Sequence, residues 1–550
     1  PVADGESWTI AEGELSAPRT RIDAMPRPDR TDPGAGALIW DLLVPPRSEQ
    51  TVCLTVEPMV DAVAAGLAFP CDVAPAEAVP LRRLSRWRAD LPTVTSHDPR
   101  LSAVVDQALV DLAGLRIVDR AHPERVVIAA GAPWFMTLFG RDSLLTAWMT
   151  LPFDGTLAGG VLASLAEMQG TIDDPAAEEQ PGKILHELRR RGGGGAFASR
   201  ERYYGTVDAT PLFVMLAAEA WRWGALSASQ LEQLAPAVDR AIGWVIGPGD
   251  SDGDGFVDYH RRSATGLSNQ GWKDSWDGVT SADGSLPQGP IALVEVQGYA
   301  YAALLGAAEL TGGMQLSDTA ADLAQRAEAL RERFNERFWD ERGWFALALD
   351  GHGEAVDALT TNPGHALWTG IADPDHANRY LDRLMEADMW TGWGLRTLAS
   401  TMSAYDPLSY HNGSVWPHDT AICGAGAARY GRWDVVDRIL DGALDAATEF
   451  KGRPPELFAG MARTDAPAPV AYPSSCSPQA WASASVLLLV RAMLDLHPDP
   501  EDGLRIGRAR LDHVKDTRLE GLHCAGQRFS IDVRDGLATV TAGAPEPKAR

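Results

Sequence analysis

The feature that most constrains the fold is a helical periodicity that runs from about residue 98 to residue 496. Apolar residues recur at three- and four-residue steps, as in LSAVVDQALVDLAGL at 101–115, and this spacing is typical of helices that bury one face. Gly and Pro punctuate the segments, and Asp or Ser often stands at a start. The pattern predicts about twelve helices, over 100–118, 141–152, 156–169, 208–223, 228–246, 289–312, 315–338, 363–371, 375–387, 413–430, 432–448 and 477–496.

The connections between these helices alternate between short and long. The four long ones, 171–207, 247–288, 388–412 and 449–476, hold most of the aromatic and polar clusters. Long loops in compact domains tend to be functional. Twelve paired helices with functional loops at one end predict a mainly α protein, an (α/α)6 toroid of six hairpins. A helical bundle or a solenoid is the alternative, but no repeat of fixed period occurs in the sequence.

The residues outside this region predict β structure. We expect an N-terminal β-sandwich-like domain over 1–90, where runs such as TVCLTVEPM alternate, and a linker over 91–99. The helical catalytic domain then covers 100–496. A small C-terminal β-element and tail, with the alternating segment RFSIDVRDGLATVTAG, cover 497–550. The start, PVADGESW, lacks an initiator Met and reads as the interior of a domain, so we expect a truncated or processed N-terminus and an incomplete β-domain.

The net charge limits the class of partner, and the cysteines indicate the cellular compartment. With 75 acidic and 49 basic residues, the net charge is −26. That charge disfavours nucleic acid and favours a neutral or cationic substrate. No apolar run reaches the ~18 residues of a membrane span, so we expect no membrane partner. Five cysteines, odd in number and without a CxxC pair, indicate reduced thiols in a cytoplasmic protein.

The stretch SNQGWKDSWDGVTSADG at 268–284 combines acids with indoles. Asp274 and Asp277 lie among Trp272 and Trp276, and Lys273 stands alongside. A carboxyl group near Trp rings is desolvated, which raises its pKa and suits it to act as a general acid. The indoles suit the apolar faces of a sugar ring. Both aspartates qualify as the acid; the alternative is one helix cap and one solvated carboxylate.

A second cluster, APWFMTLFGRDSLLTAW at 132–148, places Arg141 and Asp142 at the start of a helix. An Arg–Asp pair there suits the binding of vicinal hydroxyl groups, with Trp134 or Phe135 as the stacking wall. The alternative is a helix N-terminal charge and a surface cation.

Two more stretches, RYYGTVDATPLF at 202–213 and SYHNGSVWPHDTA at 409–421, combine aromatic and hydrogen-bonding residues. The alternatives are a simple cap for the aspartate and a structural role for the histidine. The candidate substrate-binding residues of these stretches are Tyr203, Tyr204, Asp208, His411, Asn412 and Trp416.

The stretch RPPELFAGM at 453–461 contains Glu456 between prolines and apolar residues. Such neighbours turn a loop Glu inward, where a general base is needed. In the following AYPSSCSPQAWASAS, Cys476 has no assigned base and is interpreted as a packing residue.

The stretch GDSDGDGFVDY at 249–259 follows the odd-position oxygen pattern of a calcium loop through Asp250, Asp252, Asp254 and Asp258. Arg261 stands where a bidentate Glu is usual. The pattern leaves two interpretations, a structural calcium site and an acidic turn. The catalysis expected here needs no cofactor.

These blocks, in this order, resemble the glucosidase domain of glycogen-debranching enzymes, the amylo-alpha-1,6-glucosidase family, and more broadly the glucoamylase, trehalase and processing-glucosidase group. The resemblance covers roughly 100–496. It is most specific in YHNGSVWP and in PELFAG with PQAWASAS, and VDATPLF and PIALVEVQGYAYAA add to it. The first 90 residues resemble the N-terminal β-domain of bacterial members.

The resemblance implies an inverting glycoside hydrolase that releases a non-reducing-end sugar, most simply glucose from an α-glucoside of α-1,6 or related linkage. It implies Glu456 as the base. The spacing to Glu295, which joins the substrate-binding set, and the pattern of apolar residue, Asp and small residue both imply Asp277 as the acid. A W-x-D reading implies Asp274 instead, so Asp277 is the expected acid and Asp274 the alternative. Arg141 and Asp142 are implied to hold the terminal sugar.

The sequence departs from the debranching enzymes because it shows neither a transferase half nor a starch-binding portion. We therefore expect a small oligosaccharide or another small glycoside as substrate. A phosphorylase, a lyase acting on uronic acids and a non-catalytic sugar-binding protein are the rival interpretations. Glu456 argues against the phosphorylase, and the net charge of −26 argues against the lyase.

Overall fold

The computed structural model divides into two compact units, one over Pro1–Leu91 and one that begins at Pro92. The residues it describes are 2–4, 7–11, 19–32, 37–60, 63–64, 69–71, 73–118, 122, 125–188, 202–499, 503–507, 514 and 516–545.

The first unit is built on an antiparallel β-sheet. Five strands pair in the order Val2–Asp4, Ser7–Ala11, Arg19–Met25, Cys53–Val60 and Val63–Ala64. A separate pair joins Arg30–Asp32 to Ala37–Ile39, and the unit ends in a short 3₁₀ turn, Pro75–Glu77, and helix α1, Val79–Asp90. The sheet agrees with the expected β structure; the helix α1 was not predicted.

A disulfide joins Cys53 to Cys71 in this unit. The expectation of five reduced thiols is therefore wrong for these two residues. The error arose because the odd count and wide spacing carry no information about which two thiols the fold brings together. Cys423, Cys476 and Cys524 are free and buried.

The second unit contains twelve helices in the described residues, in the order that the periodicity predicted. They are α2 Pro99–Leu115, α3 Gly140–Thr150, α4 Thr156–Glu167, α5 Ala209–Arg222, α6 Ala228–Val245, α7 Val294–Leu310, α8 Ala320–Arg337, α9 Asn362–Thr369, α10 Pro374–Leu384, α11 Pro417–Arg429, α12 Trp433–Glu449 and α13 Ala480–Met493.

Six of these helices contact one another in a closed inner ring. Helix α3 contacts α5, α5 contacts α7, α7 contacts α9, α9 contacts α11, α11 contacts α13, and α13 contacts α3. Helix α13 is buried along its whole length, whereas the outer helix α8 buries one stripe, Leu323, Ala327, Leu330 and Phe334. An all-round apolar helix needs neighbours on every side, and an amphipathic helix needs them on one side only. The inner and outer helices thus alternate along the chain as six hairpins.

The long connections lead into the N-terminal ends of inner helices. Those over 171–207, 247–288, 388–412 and 449–476 precede α5, α7, α11 and α13. The described residues of these connections are therefore gathered where the inner helices begin, as the alternation of short and long loops predicted.

The segment 91–99 is more than the expected linker, because Thr93–Thr95 pairs with a C-terminal strand. The four-stranded sheet runs in the order Leu537–Pro545, Gln527–Arg534, Thr517–Cys524 and Thr93–Thr95, and it includes the hairpin predicted from the alternating segment. The other strands of this unit are Arg116–Val118, Val126–Ile128, Glu187–Leu188, Arg202–Tyr203, Ala292–Leu293, Trp339–Asp340, Trp344–Phe345, Ala348–Leu349, Ala355–Val356, Leu496–Asp499 and Gly503–Ile506.

None of the helices in the described residues has the length and the apolar character that crossing a membrane requires.

Candidate active site

Arg141 lies in the first turn of α3 and is buried among three elements. Its Nε donates to Asp208 Oδ2 at 2.6 Å, and its Nη2 donates to the Gly271 carbonyl at 2.7 Å and to Thr206 Oγ1 at 3.2 Å. Burial alone would lower the pKa of Arg141, but the charges of Asp208 and Asp274 raise it above its usual range. Arg141 therefore provides a permanent positive charge at the N-terminal end of α3, one of the inner-ring helices.

Asp274 faces this cation from the Asp274 loop, residues 268–284. Its Oδ2 lies 3.7 Å from Arg141 Nη1, and its side chain is 30% exposed. Burial of the carboxyl group raises the pKa of Asp274 to about 6; the Arg141 charge opposes this shift and the Asp208 charge adds to it. The group can therefore hold a proton near neutral pH while part of the side chain stays accessible.

Asp142, the next residue on α3, is a second carboxyl group in the same pocket. Burial raises the pKa of Asp142 to about 7; the Arg141 cation opposes the shift, and the charges of Asp274 and Glu456 add to it. The amide of Gln479, at the start of α13, donates to Asp142 Oδ1 at 3.5 Å. The charges of Asp274 and Glu456 therefore make ionisation of Asp142 costly.

Glu456 lies in the Glu456 loop, residues 450–479, and is buried, as its flanking residues predicted. Its Oε1 accepts from the Tyr410 hydroxyl at 2.6 Å, and its Oε2 accepts from the Cys476 backbone N–H at 2.8 Å. Burial raises the pKa of Glu456, and both hydrogen bonds lower it. The two donors oppose the effect of burial and favour the ionised carboxylate.

Two polar neighbours of these carboxyl groups, Tyr410 and Gln479, were missed as site residues. Both lie inside stretches that the sequence had singled out, and Tyr410 directly precedes His411. The stretch itself was the signal, but nothing in one sequence indicates which residue of a loop faces a carboxyl group on another loop.

The segment that carries Tyr410 also holds the Asp274 loop. His411 Nδ1 and Ser275 Oγ are 2.8 Å apart, and Asn412 Nδ2 donates to the Asp277 carbonyl at 2.7 Å. Burial keeps the pKa of His411 well below its usual value, so the ring is neutral. His411 and Asn412 were expected to bind substrate; in the structure their polar atoms hold the loop.

Trp272 differs from the expected sugar wall because its side chain is only 2% exposed. Its ring stacks on His365, with 5.9 Å between the ring centroids, and meets Trp416 and His418 edge to face. Trp416, another expected substrate contact, is equally buried and donates its Nε1 hydrogen to the Tyr410 carbonyl at 2.9 Å. Aromatic rings that the loop sequence suggested for a surface are used here to pack the loop.

Lys273 and Glu295, also expected to contact substrate, are buried. Lys273 Nζ donates to the Thr397 carbonyl at 2.7 Å, and Glu295 Oε1 accepts from Asn362 Nδ2 at 3.0 Å. Burial lowers the pKa of Lys273 to about 8, against the charges of Asp419 and Glu295, and burial raises the pKa of Glu295 to about 6.

Residues 203–213 are likewise buried. Leu267 N–H donates to the Tyr203 hydroxyl at 2.9 Å, and the Tyr204 hydroxyl donates to the Met168 carbonyl at 2.8 Å. Asp208 makes no side-chain cap hydrogen bond to α5; it pairs with the Arg141 cation instead. These three residues face protein groups, which differs from the expected contact of the two tyrosines with sugar.

Two aromatic residues near the carboxyl groups are exposed. Trp134 is 63% exposed and Trp276 is 70% exposed, and Phe135 is partly buried. Trp134 and Phe135 belong to the segment whose backbone lies beside the Cys476 thiol, and Trp276 follows Asp274 by two residues. These rings are accessible, and their stacking on a sugar stays a prediction.

The acidic stretch 249–259 is the part of the described chain whose side chains could hold a metal. Carboxylate oxygens of Asp250, Asp252 and Asp254 lie within 4.8 Å of one another. Asp258 does not join them, because its two oxygens accept from the backbone N–H and the hydroxyl of Ser251. Three of the four predicted ligands are thus together, and calcium binding there stays a prediction.

Comparison with known proteins gives the class of enzyme. A model of the mannosylglycerate hydrolase MGH1-like glycoside hydrolase domain matches residues 216–458, and the protein is a glycoside hydrolase. The match supports the expected class of helical glycoside hydrolase and does not single out the debranching enzymes. No curated protein matches the sequence.

Solved structures share the fold at low sequence identity. A GH63 mannosylglycerate hydrolase from Thermus thermophilus, in complex with Tris, is 14% identical with a TM-score of 0.53, over 70% of this chain and 100% of that chain. A sialidase is 11% identical with a TM-score of 0.59, over 84% of this chain and 41% of that chain. An uncharacterized conserved protein from Thermus thermophilus is 16% identical with a TM-score of 0.50, over 70% of this chain and 100% of that chain.

Proposed function

We propose that this glycoside hydrolase inverts the anomeric carbon of a small glycoside, with Asp274 as general acid and Glu456 as general base. The observation that carries the proposal is the pairing of two differently held carboxyl groups around Arg141 and Asp142. Asp274 has a pKa raised to about 6 by burial, and Glu456 accepts hydrogen bonds from two donors. Inverting hydrolysis needs one protonated and one ionised carboxyl group.

In this mechanism Glu456 accepts a proton from water as the water oxygen attacks the anomeric carbon. Asp274 gives its proton to the glycosidic oxygen, and the bond between that oxygen and the anomeric carbon breaks. Asp274 is left ionised and 3.7 Å from the Arg141 guanidinium, which stabilises the new charge. Asp274 then regains a proton from solvent, and Glu456 releases its proton.

The contacts favour Asp274 over Asp277 as the acid. Asp274 faces Arg141, whereas the Asp277 side chain forms no hydrogen bond or ion pair with any residue that the structure describes. The Asp277 backbone carbonyl accepts from Asn412, which fixes the loop without using the carboxyl group. Asp277 lies three residues after Asp274 in the same loop. Of the two carboxyl groups, the one that faces the Arg141 cation is that of Asp274.

The sugar that fits this site is a neutral terminal hexose. Asp142 is placed to accept hydrogen bonds from sugar hydroxyl groups, and the exposed rings of Trp134 and Trp276 are placed to stack on the remainder of the substrate. The matched domain is described by a mannosylglycerate hydrolase, which makes mannosylglycerate the first substrate to test. Release of glucose from an α-glucoside of α-1,6 or related linkage stands beside it.

The test is turnover of mannosylglycerate, glucosylglycerate, maltose, isomaltose and trehalose, with the anomer of the first product followed by NMR. We expect the inverted anomer. Asp274→Asn and Glu456→Gln should each lose ~10²–10⁴-fold in kcat, while Asp277→Asn stays within about threefold of wild type. Retention of configuration would exclude the mechanism. A large loss in Asp277→Asn with an active Asp274→Asn would exchange the two aspartates, and phosphate-dependent turnover would favour a phosphorylase.

A further inference from the structure

We propose that Lys273 is a positioning residue for Asp274, because its buried ammonium group ties the Asp274 loop to the Thr397 carbonyl. The inference rests on the proposed function, since it takes Asp274 as the general acid. It gives Lys273 a role through the backbone of the loop and not through contact with the substrate.

The anchor is attached to a fixed point. Lys273 Nζ donates to the Thr397 carbonyl at 2.7 Å and lies 5.3 Å from the centroid of the Trp272 ring. Thr397 is held in turn, because its N–H donates to the Ser414 carbonyl at 3.0 Å and its hydroxyl oxygen accepts from Gly413 N–H at 3.0 Å. A movement of the anchor would therefore have to move the segment before α11 as well.

The loop leaves Asp274 little freedom once this anchor is made. Arg141 Nη2 donates to the Gly271 carbonyl at 2.7 Å. The side chain of Lys273, the residue directly before Asp274, donates to the Thr397 carbonyl and so fixes the backbone there. The turn then closes tightly: a Cβ atom at Gly278 would lie 2.4 Å from the Lys273 carbonyl oxygen. On the other side of the acid, Ser275 Oγ lies 2.8 Å from His411 Nδ1, so both residues that flank Asp274 are held, and Lys273 holds the N-terminal side.

The buried ammonium group is stabilised by two carboxyl groups. A buried charge is costly unless opposite charges compensate it. The charges of Asp419 and Glu295 oppose the burial that lowers the pKa of Lys273 to about 8. Asp419 Oδ1 lies 2.9 Å from His365 Nε2, while Asp419 Oδ2 and Glu295 Oε2 have no hydrogen-bond partner among the described residues. Each carboxyl group therefore keeps one oxygen that is not used by another described residue.

The test separates positioning of the acid from a general loss of structure. A general acid matters when the leaving group needs a proton, and it matters little for a good leaving group such as 2,4-dinitrophenolate. We expect Lys273→Met to lower kcat on the preferred glycoside by ~10²-fold, since a shift of about 1 Å has that effect. We expect a loss of less than about threefold on the 2,4-dinitrophenyl glycoside of the same sugar.

Lys183 offers a matched control. It is also buried, with a pKa lowered by burial to about 8, and its Nζ lies 5.6 Å from the centroid of the Trp244 ring. Its amine donates to the Glu178 carbonyl at 3.4 Å, in the connection before α5. Lys183→Met should therefore change the rates on the two substrates by the same factor.

Asp274→Asn measured in the same assays distinguishes failure of the proposed general acid from failure of the proposed positioning role of Lys273. If Asp274→Asn shows no dependence on the leaving group, the proposed acid is wrong. If Asp274→Asn shows it, and folded Lys273→Met slows both substrates equally or neither, the positioning role is overturned. Should circular dichroism show that Lys273→Met does not fold, Lys273→Gln is measured by the same criterion, and a rate ratio equal to that of Lys183→Met overturns the proposal.

Discussion

The Asp274 loop and the Glu456 loop each bring one carboxyl group to the same pocket, but they hold it differently. Glu456 accepts short hydrogen bonds at both oxygens, from Tyr410 and from the Cys476 backbone. Asp274 faces a cation at 3.7 Å, and burial raises its pKa to about 6. Donors at both oxygens favour the ionised form, whereas burial without such donors favours the protonated form. Burial raises the pKa of both carboxyl groups, but the two donors to Glu456 oppose that shift, and the proposed acid and base roles rest on this difference.

The two loops also differ in what fixes them. Hydrogen bonds of the Lys273, His411 and Asn412 side chains hold the loop around Asp274. At Glu456 the hydrogen bonds reach the carboxylate itself, from one hydroxyl and one backbone N–H. The segment 409–416 contributes to both, because Tyr410 binds Glu456 and the next two residues bind the Asp274 loop. One segment thus holds Glu456 and the loop that carries Asp274, and fixes their positions relative to each other.

The largest effect is expected when the base is removed. Glu456→Gln should lose ~10²–10⁴-fold in kcat, because no group then accepts the proton of the attacking water. Azide needs no base, so it should restore turnover and give a glycosyl azide of inverted configuration. Asp274→Asn is the control, and azide should not restore its activity on the preferred glycoside. An azide product of retained configuration would contradict the assignment of Glu456 as base.

A smaller effect is expected from removing one donor to the base. Tyr410→Phe deletes the hydroxyl that binds Glu456 Oε1, and a hydrogen bond to a charged group contributes roughly 1.5–3 kcal/mol, equivalent to a ~10–100-fold loss in kcat/KM. The acidic limb of the pH profile should also move to higher pH, since the ionised form loses a donor. Tyr472→Phe, whose ring centroid lies 5.8 Å from that of Tyr410, is the matched control. An unmoved acidic limb would show that Tyr410 does not affect ionisation of the base.

The pH profile of the wild type tests the other carboxyl group. Asp274 must be protonated to act, and burial raises its pKa to about 6, so kcat/KM should fall about tenfold per pH unit as pH rises above that value. The fall should be weak with a 2,4-dinitrophenyl glycoside, which does not need the acid. A limb of the same steepness that persists in Asp274→Asn would assign it to another group.

The smallest effect concerns the third carboxyl group and is measured as stability. Asp142 has a pKa raised by burial to about 7, against an ordinary value of 3.8, so the folded state binds more protons than the unfolded state between those values. Its cost to stability is absent at low pH and complete above about pH 7. Asp142→Asn should therefore raise Tm by a few degrees at about pH 8 and change it little at about pH 4. An equal Tm difference at both pH values would mean that charge is not the cause.

Much of the architecture was readable from the sequence because local patterns encode it. The 3.6-residue periodicity predicted the twelve helices of the second unit in order, and the alternation at 528–543 predicted the C-terminal hairpin. Local pattern failed where pairing is non-local. The disulfide between Cys53 and Cys71 and the pairing of Thr93–Thr95 with Thr517–Cys524 depend on segments that meet only after folding.

The same difference between local patterns and non-local contacts applies to the candidate site. Residue type and loop context brought Arg141, Asp142, Asp274 and Glu456 forward as candidates, because charged groups among apolar neighbours are unusual, and the family resemblance supplied their expected roles. The sequence and the resemblance favoured Asp277 over Asp274 as the acid, and they placed Trp272, Lys273 and Glu295 at the substrate, whereas the structure buries these three residues. The direction of a side chain in a loop is set by its partners on other loops, so only the tertiary structure decided which aspartate meets the Arg141 cation.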